Sequence, residues 1–352
     1  MKEGIPNEVQ APNYDWVDSL RVFATLSVII LHVAAAVAIQ YGKISNSEWW
    51  TANIYDSIVR FCVPIFLMIS GTVIFSKTYV STKYFLQKRL SRIVWPFLFW
   101  SFIYIFKDLF FQFIQGEPLS AEHILSFILI QLKEGASVHL WFVYMIIGLY
   151  LFFPIIGKWI HNSERKDIEY FLILWVAIMI INLLALQSVV KKFHLIYFSG
   201  FIGYPILGYY LTNYKTILGR KSLLYGSTLI GISISVVGTF YLTRRDGLLN
   251  DYFYLYLSPQ VLVVACSVFL YFKNWVNVEG RLQNIIGFLS RYSYGIYLVH
   301  MLVLWFIESA GLKTTSINPI IGIPLVSVLC LLGSTLIIYL LHKMPFGKYI
   351  AG

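Results

Sequence analysis

The sequence predicts an all-α, polytopic transmembrane bundle of about ten helices, and three observations carry that expectation. The 352-residue chain is 58% hydrophobic and only 12% charged, about half the charge fraction of soluble domains. Apolar runs long enough to cross a bilayer recur along nearly its whole length. Lys and Arg are sorted by loop: with the N-terminus inside, 17 fall on one side and 7 on the other, which places both termini in the cytoplasm. The net charge of +10 is therefore topological. No basic tract is dense enough to track a phosphate backbone, which excludes nucleic acid as a partner.

Spans are predicted near 17–39, 56–76, 93–114, 138–157, 168–187, 195–212, 222–242, 252–272, 287–309 and 318–341. They form one transmembrane domain over 1–352, with 1–14 as a cytoplasmic tail. The segment 120–132 is too short to cross and reads as interfacial or re-entrant. Ala36-Val37-Ala38 resembles a signal cleavage site, but Glu3, Glu8, Asp15 and Asp18 give the preceding segment the wrong sign. The first span is therefore expected to be retained. Cys62, Cys266 and Cys330 sit in separate spans and read as packing residues, and no metal site is expected.

The first span carries Arg21 and His32, eleven positions apart. Eleven steps at 100° are three turns plus about 20°, so both side chains share one helix face, roughly 16 Å apart along the axis. Polar groups at that depth are costly, so they are expected to face a solvated cleft. Asp18, one turn below Arg21, is placed to neutralise it. The third span follows Lys88-Arg89-Leu90-Ser91-Arg92, where Arg89 and Arg92 share a face and suit a bidentate grip on phosphate. On spacing alone, anchoring at the cytoplasmic face is the simpler account of that pair.

Further candidates lie deeper or on the far side. The second span passes Arg60, with Pro64 and Gly71 allowing a bend. The fourth opens on His139 and Trp141, and the ninth carries Tyr297 and His300. An interfacial imidazole accounts for His139, and a snorkelling side chain for Arg60, as well as a pocket does. A buried His–Tyr hydrogen bond is the simpler account of Tyr297 and His300. Lys107 reads as a snorkeller or a partner for Asp108 and is given no role. Gly-rich phosphate loops, HExxH and nucleophile elbows are absent from the sequence.

Arginines at one face, an imidazole at mid-depth and polar aromatics at the other suit a donor with a phosphorylated head and a long thin arm. Acyl-coenzyme A has that shape. The motifs W-x-D-x-L-R-x10-H (Trp16 to His32), VPIFLMISG (63–71), RLSR (89–92), HLWFVYMIIGLYLFFP (139–154) and SRYSYGIYLVH (290–300) together resemble the acyltransferase-3 family of integral-membrane acyltransferases. Within that family the chain is most similar to the enterobacterial common antigen O-acetyltransferase type. The resemblance implies transfer of an acetyl group from acetyl-CoA, a co-substrate, to a hydroxyl of an envelope glycan or an undecaprenyl-linked saccharide, in the bacterial inner membrane. It marks Arg21 and His32 as the functional pair and Arg89 and Arg92 as donor-binding; Arg60, His139, Trp141, Tyr297 and His300, read from the residues themselves, are the substrate-binding candidates. One departure stands out: relatives of the peptidoglycan and lipopolysaccharide type carry a glutamate pair after the helix-4 tryptophan, where this chain has FVYMIIGLY (142–150). No carboxylate partner for His32 is readable there.

The expected chemistry is general-base removal of a sugar hydroxyl proton by neutral His32, with a covalent acyl-enzyme as a variant route. The rival class is a polysaccharide flippase or exporter. That class calls for related halves and polar residues on both sides of the midplane, and the sequence shows no internal symmetry. A non-catalytic scaffold leaves the cost of Arg21 and His32 unexplained.

Overall fold

The computed structural model describes residues 15–77, 81–182, 200–216 and 220–352. The expected tail 1–14, with Lys2, and the predicted span residues 183–187 and 195–199 lie outside them, as do Lys191 and Lys192. Among the described residues every regular element is a helix. We number them α1 (Asp15–Ala38), α2 (Asn46–Val59), α3 (Cys62–Phe75), α4 (Thr82–Ile114), α5 (Ala121–Glu134), α6 (Trp141–Asn162), α7 (Arg165–Ile181), α8 (Gly203–Asn213), α9 (Lys221–Asp246), α10 (Pro259–Trp275), α11 (Gly280–Ser309), α12 (Pro319–Lys343) and the short α13 (Gly347–Ile350).

Among the described residues seven segments are long and apolar enough to cross a membrane: α1, α2 with α3, α4, α6, α9, 252–275 and α12. The other three predicted spans differ for separate reasons. Helix α11 is 30 residues long but dilutes its apolar run with Arg281, Arg291 and a series of Ser and Tyr. Helix α7 is described only to Ile181. Helix α8 has 11 residues, fewer than a crossing needs.

Two boundaries correct the sequence reading. The second crossing starts at Asn46, not 56, because Ser45 and Glu48 form a capping box: Ser45 Oγ accepts from the Glu48 N–H at 3.3 Å and the Glu48 carboxylate accepts from the Ser45 N–H at 2.9 Å. The crossing is then interrupted at Arg60–Phe61, between α2 and α3. The arginine pair 89/92 lies inside α4 rather than ahead of it. That helix starts at Thr82 with Ser81 Oγ accepting from Tyr84 N–H at 3.1 Å. Helix α5 buries no residue; it lies beside α4, as an interfacial element would, with His123 3.0 Å from Gln112.

Helix α1 is the axis of the bundle. Its first half (Val17, Leu20, Ala24) packs in an apolar cluster with α3, α6, α7, α8 and α10. From Val28 onward it packs in a second cluster with α4, α11 and α12. Its hydroxyls burden neither cluster, because Ser19, Thr25 and Ser27 each donate to the carbonyl four residues back, at 3.3, 2.8 and 2.8 Å. Helices α3 and α8 meet backbone to backbone. A Cβ on Gly71 would sit 1.8 Å from the Pro205 carbonyl, and one on Gly208 would sit 2.1 Å from that of Met68. Small residues permit this approach where no hydrophobic force separates helix from lipid. Lys273 closes the end of α8 by donating to the Leu211 and Thr212 carbonyls at 2.5 and 2.8 Å.

Candidate active site

The helical period that puts Arg21 and His32 on one face of α1 turns both toward α11, but they do not share one cleft. Arg21 opens onto a cavity of about 290 Å³ at one end of the bundle, and His32 onto a separate cavity of about 340 Å³ at the other. The expectation of a single cleft is corrected here: the two cavities share no lining residue, and His139, just ahead of α6, packs with Tyr297 and His300 of α11 beside His32.

The arginine cavity gathers all five sequence stretches singled out above. Its wall holds Arg21 from α1, Phe66, Ile69 and Ser70 from α3, Arg89 and Arg92 from α4, Phe142, Ile146 and Tyr150 from α6, and Ser293, Tyr294 and Tyr297 from α11. These stretches are scattered over nearly 280 residues of chain (21 to 297), and only the bundle makes them neighbours. Arg21 is held in place by Asp18 Oδ1 at 3.0 Å and Ser290 Oγ at 2.9 Å, while Ser290 donates to Asp18 at 2.6 Å. The pair remains partly wet, at 28% and 43% side-chain exposure, which limits the desolvation cost of the charges. Arg21 also borders a polar cavity of about 730 Å³ with Gln283, Asn284 and Arg291.

The histidine cavity is lined by His32, Tyr104, Trp305 and the charged groups Lys107, Asp108, Glu308 and Lys313. Lys107 is not a lipid-facing snorkeller: it pairs with Asp108 at 2.9 Å and lies 5.6 Å from the Trp305 ring. Of the two sequence readings of Lys107, pairing with Asp108 is the one the structure shows, and a cation inside a span is itself a signal of a polar interior.

Between the cavities stands a septum of three groups. Tyr297 donates its hydroxyl to the His139 carbonyl, so the expected Tyr297–His300 side-chain bond is corrected. Instead His300 Nδ1 lies 2.5 Å from the Tyr297 carbonyl. His139 places Nδ1 3.0 Å from Ser137 Oγ and Nε2 3.3 Å from the Leu298 carbonyl. Both histidines are buried, at 1% and 0% exposure. The His32 ring lies 5.2 Å from that of His300 and 6.3 Å from that of His139.

Two further candidates stand apart from this arrangement, since neither Arg60 nor Trp141 lines these cavities. Arg60 is bonded to the fully buried Asp56 at 2.5 Å, with its guanidinium 4.0 Å from the Tyr254 ring centroid. Asp56 is the first residue of the predicted second span, and the sequence reading assigns it no role. Trp141 is 37% exposed and stacks 5.7 Å from Tyr256. Among the described residues no group of three His, Cys, Asp or Glu side chains is placed to hold a metal ion.

A family model described as an acyltransferase domain, that of the acyltransferase-3 family, matches residues 14–340. The protein YfiQ of Bacillus subtilis (strain 168), whose name provisionally describes a membrane-bound acyltransferase, is 22% identical over 372 aligned positions, covering 95% of this chain and 92% of the relative. No solved structure matches. With the family match spanning nearly the whole bundle, the chain belongs to the acyltransferase-3 family: it is a multi-pass membrane acyltransferase.

Proposed function

We propose that the protein is an O-acetyltransferase of the enterobacterial common antigen type, embedded in the bacterial inner membrane. It moves an acetyl group from cytoplasmic acetyl-CoA to a hydroxyl of a cell-envelope polysaccharide or its undecaprenyl-linked repeat. The observation that carries this reading is the pair of cavities on one face of α1, arginine-lined at one end and imidazole-lined at the other.

The arginine cavity suits the donor. Its narrow, largely apolar body matches a pantetheine arm, and Arg89 and Arg92 stand where charge-assisted bonds would hold the phosphates. The larger polar space beside Arg21 has room for the nucleotide head. The positive-inside count puts this end in the cytoplasm, where coenzyme A is found. The histidine cavity suits the acceptor. Trp305 offers a flat apolar wall for a sugar ring, and Asp108 and Glu308 offer acceptors for its hydroxyls.

His32 then acts as general base. It takes the proton of the sugar hydroxyl as the oxygen attacks the thioester carbonyl. The C–S bond breaks, and the imidazolium returns the proton to the leaving thiolate. Arg21 holds the donor from the far end of the same helix face, and Asp18 keeps that guanidinium oriented. Tyr297, His139 and His300 mark the depth at which the two substrates meet, so the septum has to open locally for the thioester to pass. The same septum weighs against a flippase, whose glycan would need a continuous path.

Mass spectrometry of envelope glycans from cells with the wild-type gene, without it, and with His32→Ala tests the reading. An acetyl group present only with the wild type is expected. Unaltered glycans in all three strains would remove the assignment.

A further inference from the structure

His300 has a lone pair with nothing to accept. Its Nδ1 lies 2.5 Å from the Tyr297 carbonyl, and a carbonyl only accepts, so Nδ1 carries the ring proton. In the neutral ring Nε2 is then a pure acceptor. That atom is buried and has no hydrogen-bond partner among the described residues. Buried polar atoms are nearly always satisfied, and an exception calls for an explanation.

The rings packed against it leave one source for the missing donor. His139 lies 4.9 Å away, but its Nε2–H is directed at the Leu298 carbonyl and its Nδ1 accepts from Ser137. Tyr297, at 5.8 Å, gives its hydroxyl to the His139 carbonyl. His32 remains, at 5.2 Å between centroids. A ring-to-ring bond of ordinary length, near 2.9 Å between nitrogens, puts imidazole centroids about 5 Å apart. The planes are tilted by 41°. Because the χ2 torsion of histidine is soft and two-fold, alignment needs ring rotation and no backbone movement.

We propose that His300 is a positioning residue for His32: its Nε2 accepts the ring N–H of His32 and so fixes which His32 nitrogen presents a lone pair to the histidine cavity. His300 thereby stands where a hydrolase triad places a carboxylate, a partner that the stretch 142–150 does not supply. A neutral acceptor orients the base without adding a second charge to a dry septum. This role rests on the general-base reading of His32, and it is distinct from contact with either substrate.

The test combines spectroscopy with turnover. The full-length protein, labelled with ¹⁵N-histidine and held in lipid nanodiscs, gives ring-nitrogen signals for His32 and His300. The wild type should show one His32 tautomer and a hydrogen-bonded His300 Nε2. His32→Ala should return that Nε2 signal to its unbonded position, and Ser327→Ala, which removes an unpartnered buried hydroxyl on α12, should leave it unmoved. His300→Leu should give mixed His32 tautomers. In native membranes supplied with radiolabelled acetyl-CoA, His300→Leu should also lower kcat by about 10- to 100-fold with the donor KM unchanged, as loss of a tautomer-fixing partner does. His300→Gln, whose side-chain oxygen can accept in place of Nε2, should recover most of the rate. An Nε2 signal unmoved by His32→Ala, or moved by Ser327→Ala, overturns the proposal. So does a glutamine variant as slow as the leucine one. If the spectra show the dyad while no glycan is acetylated by the wild type, the acyl-transfer reading fails and the pairing stands.

Discussion

The two ends of the α1 face solve the same physical problem in opposite ways. At the arginine end, charge is kept wet: Arg21 retains 28% of its side-chain exposure and is held by Asp18 and Ser290. Behind His32, polarity is kept dry, with His139 and His300 almost wholly buried and tied to backbone carbonyls. A guanidinium cannot shed its proton and needs water or a counter-charge, whereas an imidazole can be buried as a neutral donor and acceptor. The first arrangement suits recognition of an anion, and the second suits movement of a proton.

The sharpest break in that comparison comes from His32→Ala. Acetyl transfer should fall by about 10²- to 10⁴-fold, while binding of radiolabelled CoA to the purified protein stays within twofold of wild type. Equal loss of both would mean the ends are not separate. Next in size is the double variant Arg89→Ala, Arg92→Ala. Charged hydrogen bonds are worth about 1.5–3 kcal/mol each, so the acetyl-CoA KM should rise at least tenfold with kcat little altered. A fall in kcat alone would move these arginines out of donor binding.

Two smaller effects refine the boundary between the ends. Trp305→Ala should raise the KM for the glycan acceptor by roughly fivefold, the worth of about 1 kcal/mol of aromatic contact, and leave the donor KM alone. A changed donor KM would put the coenzyme, not the sugar, in the histidine cavity. Tyr297→Phe removes one septum hydrogen bond, about 1 kcal/mol, and should lower Tm by roughly 2 °C. Its turnover should change less than threefold. A larger drop would bring the hydroxyl into the chemistry.

Much of this was legible residue by residue. The period of α1 placed Arg21 and His32 on one face, and the i, i+3 spacing did the same for Arg89 and Arg92. Asp18 pairs with Arg21 as its position one turn away suggested. The start of α2 was also written in the chain, as Ser45 and Glu48 at capping-box spacing, beneath the stronger hydropathy signal that follows. Other features had no local signature. Arg60 has the same sequence-level appearance as a pocket arginine, and only the fold brings Asp56 and Tyr254 around it. Trp141 belongs to a motif yet lines neither cavity, stacking on Tyr256 while its neighbour Phe142 lines the arginine cavity.

Composition and periodicity by themselves determined that the chain is a helical membrane bundle and that Arg21 and His32 share one face of its first helix. These are properties of single helices, set by 3.6-residue geometry and by the cost of bare polar groups in hydrocarbon. The tertiary structure alone decided that the polar face opens onto two chambers rather than one, and that His300 stands behind His32. Those outcomes depend on how His139, Tyr297 and His300 pack against one another and against His32, and no residue's neighbours across helices are encoded in its own segment.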